Sequence, residues 1–494
     1  MTAVRPRALV RGMYDFRPVG FVIGRLAAVL GLAMLAPMLL DLIEGDPNWR
    51  GFALAAFLTC VSGLALSILT RRAVQTGLSR QQAFMLTTLL WVALPVWGAL
   101  PFVFGAPGAS YTDAFFEAMS GLTTTGASVF SDLDEAPRSM LLWRALLQWF
   151  GGVGIVVVAM VFLPTLKIGG MQFFRSESFD VATDILPRAV EAAQSVSWIY
   201  LGLTGACILA YSAAGMSGFD ALCHAMTTVS TGGLANYDAS FGAFGAEVHY
   251  VAVIFMALAA MPFIKFVQLA NGRSMPLLQD PQVRAFLAII AVVTSIIVAW
   301  RVAGDDRPFE PALRAALFNV TAVITGTGYS SENYAVWGGL PVTLFFAIAL
   351  IGGCAGSTAC SAKVFRYQIL LAALEVQIRR IHAPHGVFPL RYDHRPVEAE
   401  VLSSVMGYFF VFYFAIGLWA VALSMFGMDA LTSISGAMAI LTNLGPGLGP
   451  EIGPAGNYAG LPDGAKWLLS LGMVLGRLEF MSVLVLFTPI FWAR

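Results

Sequence analysis

Apolar stretches of about bilayer-crossing length recur from one end of this chain to the other, and that recurrence leaves few folds open. A hydrocarbon core about 30 Å thick takes about 20 helical residues to cross. Runs that reach or approach that length lie at 20–43, 50–70, 83–104, 141–163, 195–213, 247–268, 285–300, 338–365, 400–425 and 467–491, ten in all. Lipid offers backbone groups no hydrogen-bond partners, so each run is expected as a helix. Only 12% of the 494 residues are charged, about half the share of a soluble protein. The arginine-rich start MTAVRPRALVRGMYDFRPVG leads into a long apolar run with no evident small-residue cleavage site, so 20–43 reads as a retained first span.

Basic residues assign the two sides. Eighteen Lys and Arg, from Arg5 to Arg395, lie before the first span or at the ends of the even-numbered ones; seven (Arg50, Arg138, Arg144, Arg301, Arg307, Arg314 and Lys466) lie on the other side. By the positive-inside rule the first side is cytoplasmic. Both termini then lie in the cytoplasm, and 105–112, 214–246, 301–337 and 426–466 face out. Formal net charge is zero and no basic tract occurs, which excludes a nucleic-acid binder. The five cysteines, Cys60, Cys207, Cys223, Cys354 and Cys360, show no paired spacing for a disulfide framework. No polar catalytic cluster is present, and GGVGIVVV at 151–158 lacks the spacing and context of a nucleotide-binding turn. An enzyme is therefore not expected.

The outer segments carry a hidden repeat. Each holds an apolar run too short to span that ends in Thr or Ser and Gly: DAFFEAMSGLTTTGAS (113–128), FDALCHAMTTVSTGGL (219–234), RAALFNVTAVITGTGYS (314–330) and ALTSISGAMAILTNLGPGLG (430–449). In register, Thr123, Ser230, Thr325 and Thr442 align, and so do Gly126, Gly233, Gly328 and Gly445. The following spans repeat too, with Pro164 and Lys167 of AMVFLPTLKI matching Pro262 and Lys265 of ALAAMPFIKF. The unit is span, half-helix, glycine turn, span. A half-helix that turns back leaves non-helical backbone at membrane depth, which persists only inside protein or beside a water-filled path. Four such turns around one axis place carbonyl oxygens where they can replace the hydration shell of a cation. Glycine permits the φ values that aim successive carbonyls alike. The negative ends of the half-helices add to the attraction. Asp113 and Asp220, at the starts of two half-helices, are expected as N-caps, Glu117 as a neighbouring acid that draws in cations, and His224 as a packed residue.

These residues resemble the Trk/Ktr/HKT superfamily of potassium transporters, most closely its bacterial TrkH-type subunit. The resemblance rests on GLTTTGAS (121–128), FGGVGIVVVAMVFLP (150–164), TTVSTGGL (227–234), ITGTGYS (324–330), GGCAGSTACSAKVFR (352–366), LTNLGPGLG (441–449) and LGRLEF (475–480). It implies an all-α polytopic membrane protein whose single chain forms a pseudo-fourfold, potassium-channel-like pore. The parts are an N-terminal two-helix hairpin (1–75) and pore repeats at 76–180, 181–275, 276–395 and 396–494. The implied selectivity filter is Thr123, Thr124, Thr125 and Gly126; Ser230, Thr231, Gly232 and Gly233; Thr325, Gly326, Thr327 and Gly328; and Thr442, Asn443, Leu444 and Gly445. Leu234 stands where the family often has an aromatic residue, and the fourth turn, TNLG, is the least symmetric.

The eighth span is interrupted by GGCAGSTAC (352–360). Such a run weakens a helix, and small residues also serve close helix packing. The resemblance makes Gly352, Gly353, Ala355, Gly356, Ser357 and Thr358 a gate loop beneath the filter, with Lys363 and Arg366 anchoring its cytoplasmic end. It also makes Arg477 a pore barrier, a charge that is costly within a span. On that reading Arg477→Ala raises flux in reconstituted vesicles without removing the preference for potassium. The implied function is potassium uptake across the bacterial inner membrane by gated passive conduction, with K+ as the transported ion and no covalent cofactor. A homodimer and a cytosolic nucleotide-binding regulatory subunit are implied as partners. A symporter coupled to protons or sodium, and a less selective K/Na conductor, share the same hydropathy.

Overall fold

The computed structural model describes residues 16–71, 79–161, 185–273 and 275–492. Pro164 and Lys167, half of the expected match between the fourth and sixth spans, lie outside them. Among the described residues seven helices are long and apolar enough to cross a membrane: Arg17–Glu44, Trp49–Thr70, Gln81–Phe104, Arg138–Val156, Ala193–Ala213, Pro281–Gly304 and Ala399–Ser424. The first two pack along each other with glycines at the contact. A β-carbon on Gly24 or Gly63 would press on the facing backbone, which is how small residues let helices approach in lipid. Large apolar side chains such as Ile68, Leu69, Phe410, Phe414 and Val421 stay exposed on the outer faces, as helices in lipid require.

Three expected crossings are not straight rods. The run 247–268 forms Ala246–Ala259 and Phe263–Ala270, bent by 92°. The cause is Pro262, which lacks an N–H and holds extended backbone at φ −65° and ψ 119°. The run 467–491 forms Asp463–Arg477 and Phe480–Phe487, bent by 109°, with Glu479 at φ 63°. The run 338–365 was expected as one interrupted span. It is an 11-residue helix, Gly339–Ala349, then an irregular segment at 350–363, then the helix Val364–His382. The GGCAGSTAC run marked the interruption, but its residue types did not show that the chain leaves the helix for the whole of 350–363.

Four short helices stand between the spans: Tyr111–Leu122, Gly218–Val229, Phe309–Ile324 and Ala430–Leu441. Asp113 and Asp220 are not the N-caps expected of them. Ser110 and Ser217 are, each accepting a hydrogen bond from the backbone N–H of the aspartate three residues on. The hydroxyls in turn donate to Asp113 at 2.8 Å and Asp220 at 2.7 Å, a capping-box-like arrangement. Only the fourth helix is capped by an aspartate, Asp429, which accepts from Leu431 and Thr432.

Candidate functional site

The last turn of each short helix runs into the same backbone path. Thr123, Ser230, Thr325 and Thr442 remain right-handed at φ −78°, −75°, −77° and −93°. The next residue is left-handed in all four: Thr124, Thr231 and Asn443 at 51° and Gly326 at 73°. The fourth residue is left-handed again, with Gly126 at 83°, Gly233 at 81°, Gly328 at 80° and Gly445 at 92°. Backbone N–H groups fold back to cap the helix end, as in Thr125 to Ser120 (2.9 Å), Gly232 to Thr227 (2.8 Å) and Leu444 to Ala439 (2.8 Å). In the third copy the capping N–H is that of Gly328, which reaches Ala322 at 3.1 Å.

The four turns meet one another in a closed cycle. A β-carbon on Gly126 would run into the Gly232 carbonyl oxygen, one on Gly233 into that of Thr327, one on Gly328 into that of Leu444, and one on Gly445 into that of Thr125. Copy one therefore touches two, two touches three, three touches four, and four touches one. Glycine is required twice over at these positions, by its positive φ and by the neighbour's carbonyl. The nine Thr, Ser and Asn residues of the turns are at most 2% exposed, so this non-helical backbone is enclosed in protein.

Side chains brace the ring from behind. Gln148 donates to the Gly232 carbonyl at 2.6 Å and accepts from Leu234 N–H at 3.1 Å. Tyr458 donates to the Gly445 carbonyl at 2.6 Å. Asn443 crosses the seam between the last and first copies, donating to Thr125 Oγ1 at 2.8 Å. Glu117, buried, pairs with buried Arg144 at 2.8 Å and accepts from Val129 N–H at 2.9 Å. Arg144 reaches on to the Ala235 carbonyl at 2.8 Å. Glu117 is thus a structural clamp and not a free acid, and Arg144 is no loop charge. Asp220 is likewise occupied, by Asn236 at 2.9 Å and Tyr237 at 3.1 Å. His224 is packed inside, with Nδ1 on the Asp220 carbonyl at 2.9 Å. Sequence reading missed Gln148 and Arg144; their i, i+4 spacing inside an apolar span was the available signal, since it puts two polar groups on one face.

Above the ring lies a cavity of about 310 Å³ whose lining includes Gly126, Gly233, Gly328 and Pro446, one residue from each copy. Beneath it lies the irregular segment at 350–363. Thr358 Oγ1 donates to the carbonyls of Ala259 at 3.0 Å and of Val229, the last residue of the second short helix, at 3.2 Å. Cys354 N–H reaches Ala260 at 3.0 Å, and Phe263 N–H reaches Gly356 at 2.9 Å, so the loop fills the break at Pro262. Ser357 closes a local turn onto Cys354 at 2.6 Å. Gly352 and Gly356 are left-handed at 81° and 74°, and Gly353 and Ala355 are buried. Arg477 donates to the Thr358 carbonyl at 3.2 Å and meets the Cys360 thiol. Its neighbour Gly476 packs against the Leu441 carbonyl and Asn443, directly under the fourth turn. Glu479 does not pair with Arg477; it binds Arg366 at 2.5 Å and Lys363 at 4.0 Å, joining the loop's far end to the last helix.

Residues 51–492 match the TrkH family, described as a cation transport protein. The chain belongs to the TrkH family. This TrkH-family chain is 40% identical over 479 residues to the Trk system potassium uptake protein TrkI of Halomonas elongata, covering 97% of each. It is 35% identical to the Trk system potassium uptake protein TrkH of Escherichia coli, covering 97% of this chain and 99% of that one. The crystal structure of the potassium transporter TrkH from Vibrio parahaemolyticus superposes with a TM-score of 0.89 at 34% identity, covering 97% of this chain and all of the other. As a TrkH-family cation transport protein the chain is a multi-pass membrane protein.

Proposed function

We propose that this protein carries potassium into the cell by passive conduction along the axis of the four turns. The observation that carries the reading is the closed cycle in which each glycine abuts the next copy's carbonyl. Such a ring of main-chain oxygens offers a dehydrated cation what water offered it, and residues 123–126, 230–233, 325–328 and 442–445 are its selectivity filter. The four span, half-helix, turn, span units then make a pseudo-fourfold pore, with the N-terminal hairpin packed outside it. Ions enter from the outer cavity, cross the ring and meet the loop at 350–363, which is the gate. Arg477 sits against that loop as an electrostatic barrier, and Lys363, Arg366 and Glu479 latch its far end. The relatives are named for potassium uptake, which supports potassium as the ion, and the apolar spans fit the inner membrane as the location. A homodimer and a cytosolic nucleotide-binding regulator complete the reading, on the strength of the family resemblance.

The test is tracer flux into vesicles holding the purified protein, with potassium, rubidium, sodium and lithium compared at equal potential. Potassium and rubidium are expected to enter well ahead of sodium and lithium. Equal entry of potassium and sodium would support the less selective conductor, for which the asymmetric TNLG turn is the structural reason. Uptake that follows an imposed proton or sodium gradient at zero potential would replace conduction by symport.

A further inference from the structure

A second cavity, of about 220 Å³, lies among the first and third spans, the first short helix and the fourth span, lined by Leu26, Leu30, Trp91, Leu94, Gly151 and Gly154 with apolar neighbours. It is larger than the apolar cavity of about 150 Å³ that takes up benzene. Leu26 and Val29 at its rim are exposed on a membrane-spanning helix, so it is continuous with the lipid-facing surface. Two of its lining residues also touch Arg477. The Gly151 carbonyl accepts from Arg477 Nη2 at 3.5 Å, and the Trp91 ring centroid lies 5.8 Å from the guanidinium carbon.

Behind the cavity's wall at Gly151 and Trp91, the protein is short of an anion. Arg477 is 3% exposed, and its described hydrogen bonds go to the neutral carbonyls of Thr358 and Gly151 and to the Cys360 thiol. The nearby Glu479 carboxylate is committed to Arg366 and Lys363. Trp91 Nε1 and Arg477 Nε are both buried donors without a hydrogen-bond acceptor. A buried charge and two orphan donors are costly unless a partner arrives.

We propose that this cavity binds a long-chain carboxylate, a free fatty acid that enters from the bilayer, with its alkyl chain among the leucines and its carboxylate on Arg477 and Trp91. A neutral amphiphile of the same length supplies the chain and leaves the charge unmet. Bound carboxylate cancels the positive charge beneath the ring and so raises conduction. That effect on flux rests on the barrier reading of Arg477 given above; the binding does not.

The test uses the full chain in lipid nanodiscs and a photoactivatable diazirine analogue of palmitate. Saturable labelling is expected on peptides carrying residues 90–94 or 150–154. Unlabelled palmitate should displace the probe, with hexadecanol and hexadecylamine about tenfold weaker or worse. Gly154→Leu fills the cavity, where a β-carbon has nothing nearer than Trp91 at 3.9 Å. It should cut labelling about tenfold and leave potassium flux without fatty acid unchanged, while palmitate stimulates flux through the parent protein alone. Competition by hexadecanol equal to palmitate, labelling undiminished in Gly154→Leu, or labelling spread over all lipid-facing helices would each overturn the site. Because the competition series needs no variant, misfolding of Gly154→Leu does not shelter the proposal. Labelling as expected with no response in flux would keep the site and remove the barrier role from Arg477.

Discussion

Threonine is a poor occupant of left-handed backbone, yet Thr124 and Thr231 hold φ 51°, as does Asn443, a residue type that tolerates it better. Each threonine costs on the order of 1–2 kcal/mol, and such strain survives where surrounding structure fixes it. The fixing here is done by the capped helix end on one side and a glycine wedged against the next copy on the other. Gly233→Ala tests the wedge: its β-carbon collides with the Thr327 carbonyl and also takes a positive φ. Potassium flux should fall at least about tenfold, a modest 1.4 kcal/mol on the barrier, and sodium should be excluded less well in the same vesicles. The four glycines were legible in the sequence because this backbone path has a residue requirement. The helix caps were read wrongly, since Ser-x-x-Asp offers two candidate oxygens and only geometry says that Ser110 and Ser217 do the capping.

At the scale of elements, the first short helix and the span after it are held by one buried ion pair, Glu117 with Arg144. Removing one partner of such a pair typically costs about 3–5 kcal/mol, while replacing both with apolar groups can be nearly neutral. Glu117→Ala should therefore lower the thermal midpoint in detergent strongly, and Glu117→Leu combined with Arg144→Met should recover much of it. If the double variant is as unstable as the single one, the hydrogen bonds that Arg144 donates to the Ala235 carbonyl and to Ser128, and that Ser128 donates to Glu117, matter more than the pair's charge. The spans themselves were largely legible, because length and hydropathy carry them. The bends were not: nothing in the composition of 467–491 distinguishes a helix turned by 109° from a straight one. The residues alone showed the loop at 350–363 as a weakness in a helix and the resemblance placed it beneath the filter, but neither showed that it packs into the break at Pro262.

On the scale of the whole molecule, a ring built from one chain has four non-identical walls, and only the backbone path needs to repeat. The braces behind it differ from copy to copy: Gln148 behind the second, Tyr458 behind the fourth. If ions move down their electrochemical gradient through such a ring, a potential of 100 mV contributes about 2.3 kcal/mol per charge. Reversing the sign of an imposed potential in vesicles with equal potassium inside and out should therefore reverse the direction of tracer movement, with no dependence on a proton gradient. A direction that stays fixed would exclude passive conduction. The arrangement of the turns in register was visible in the sequence, whereas their closure into a cycle was not, because it depends on contacts between residues 320 positions apart, Gly445 and Thr125. That last contact also sets an order of events. A polypeptide made from its amino end must have nearly all of its membrane helices in place before the final wall arrives. A product that stops short of the fourth turn carries three walls and an open flank, because only Gly445 closes the cycle back onto Thr125.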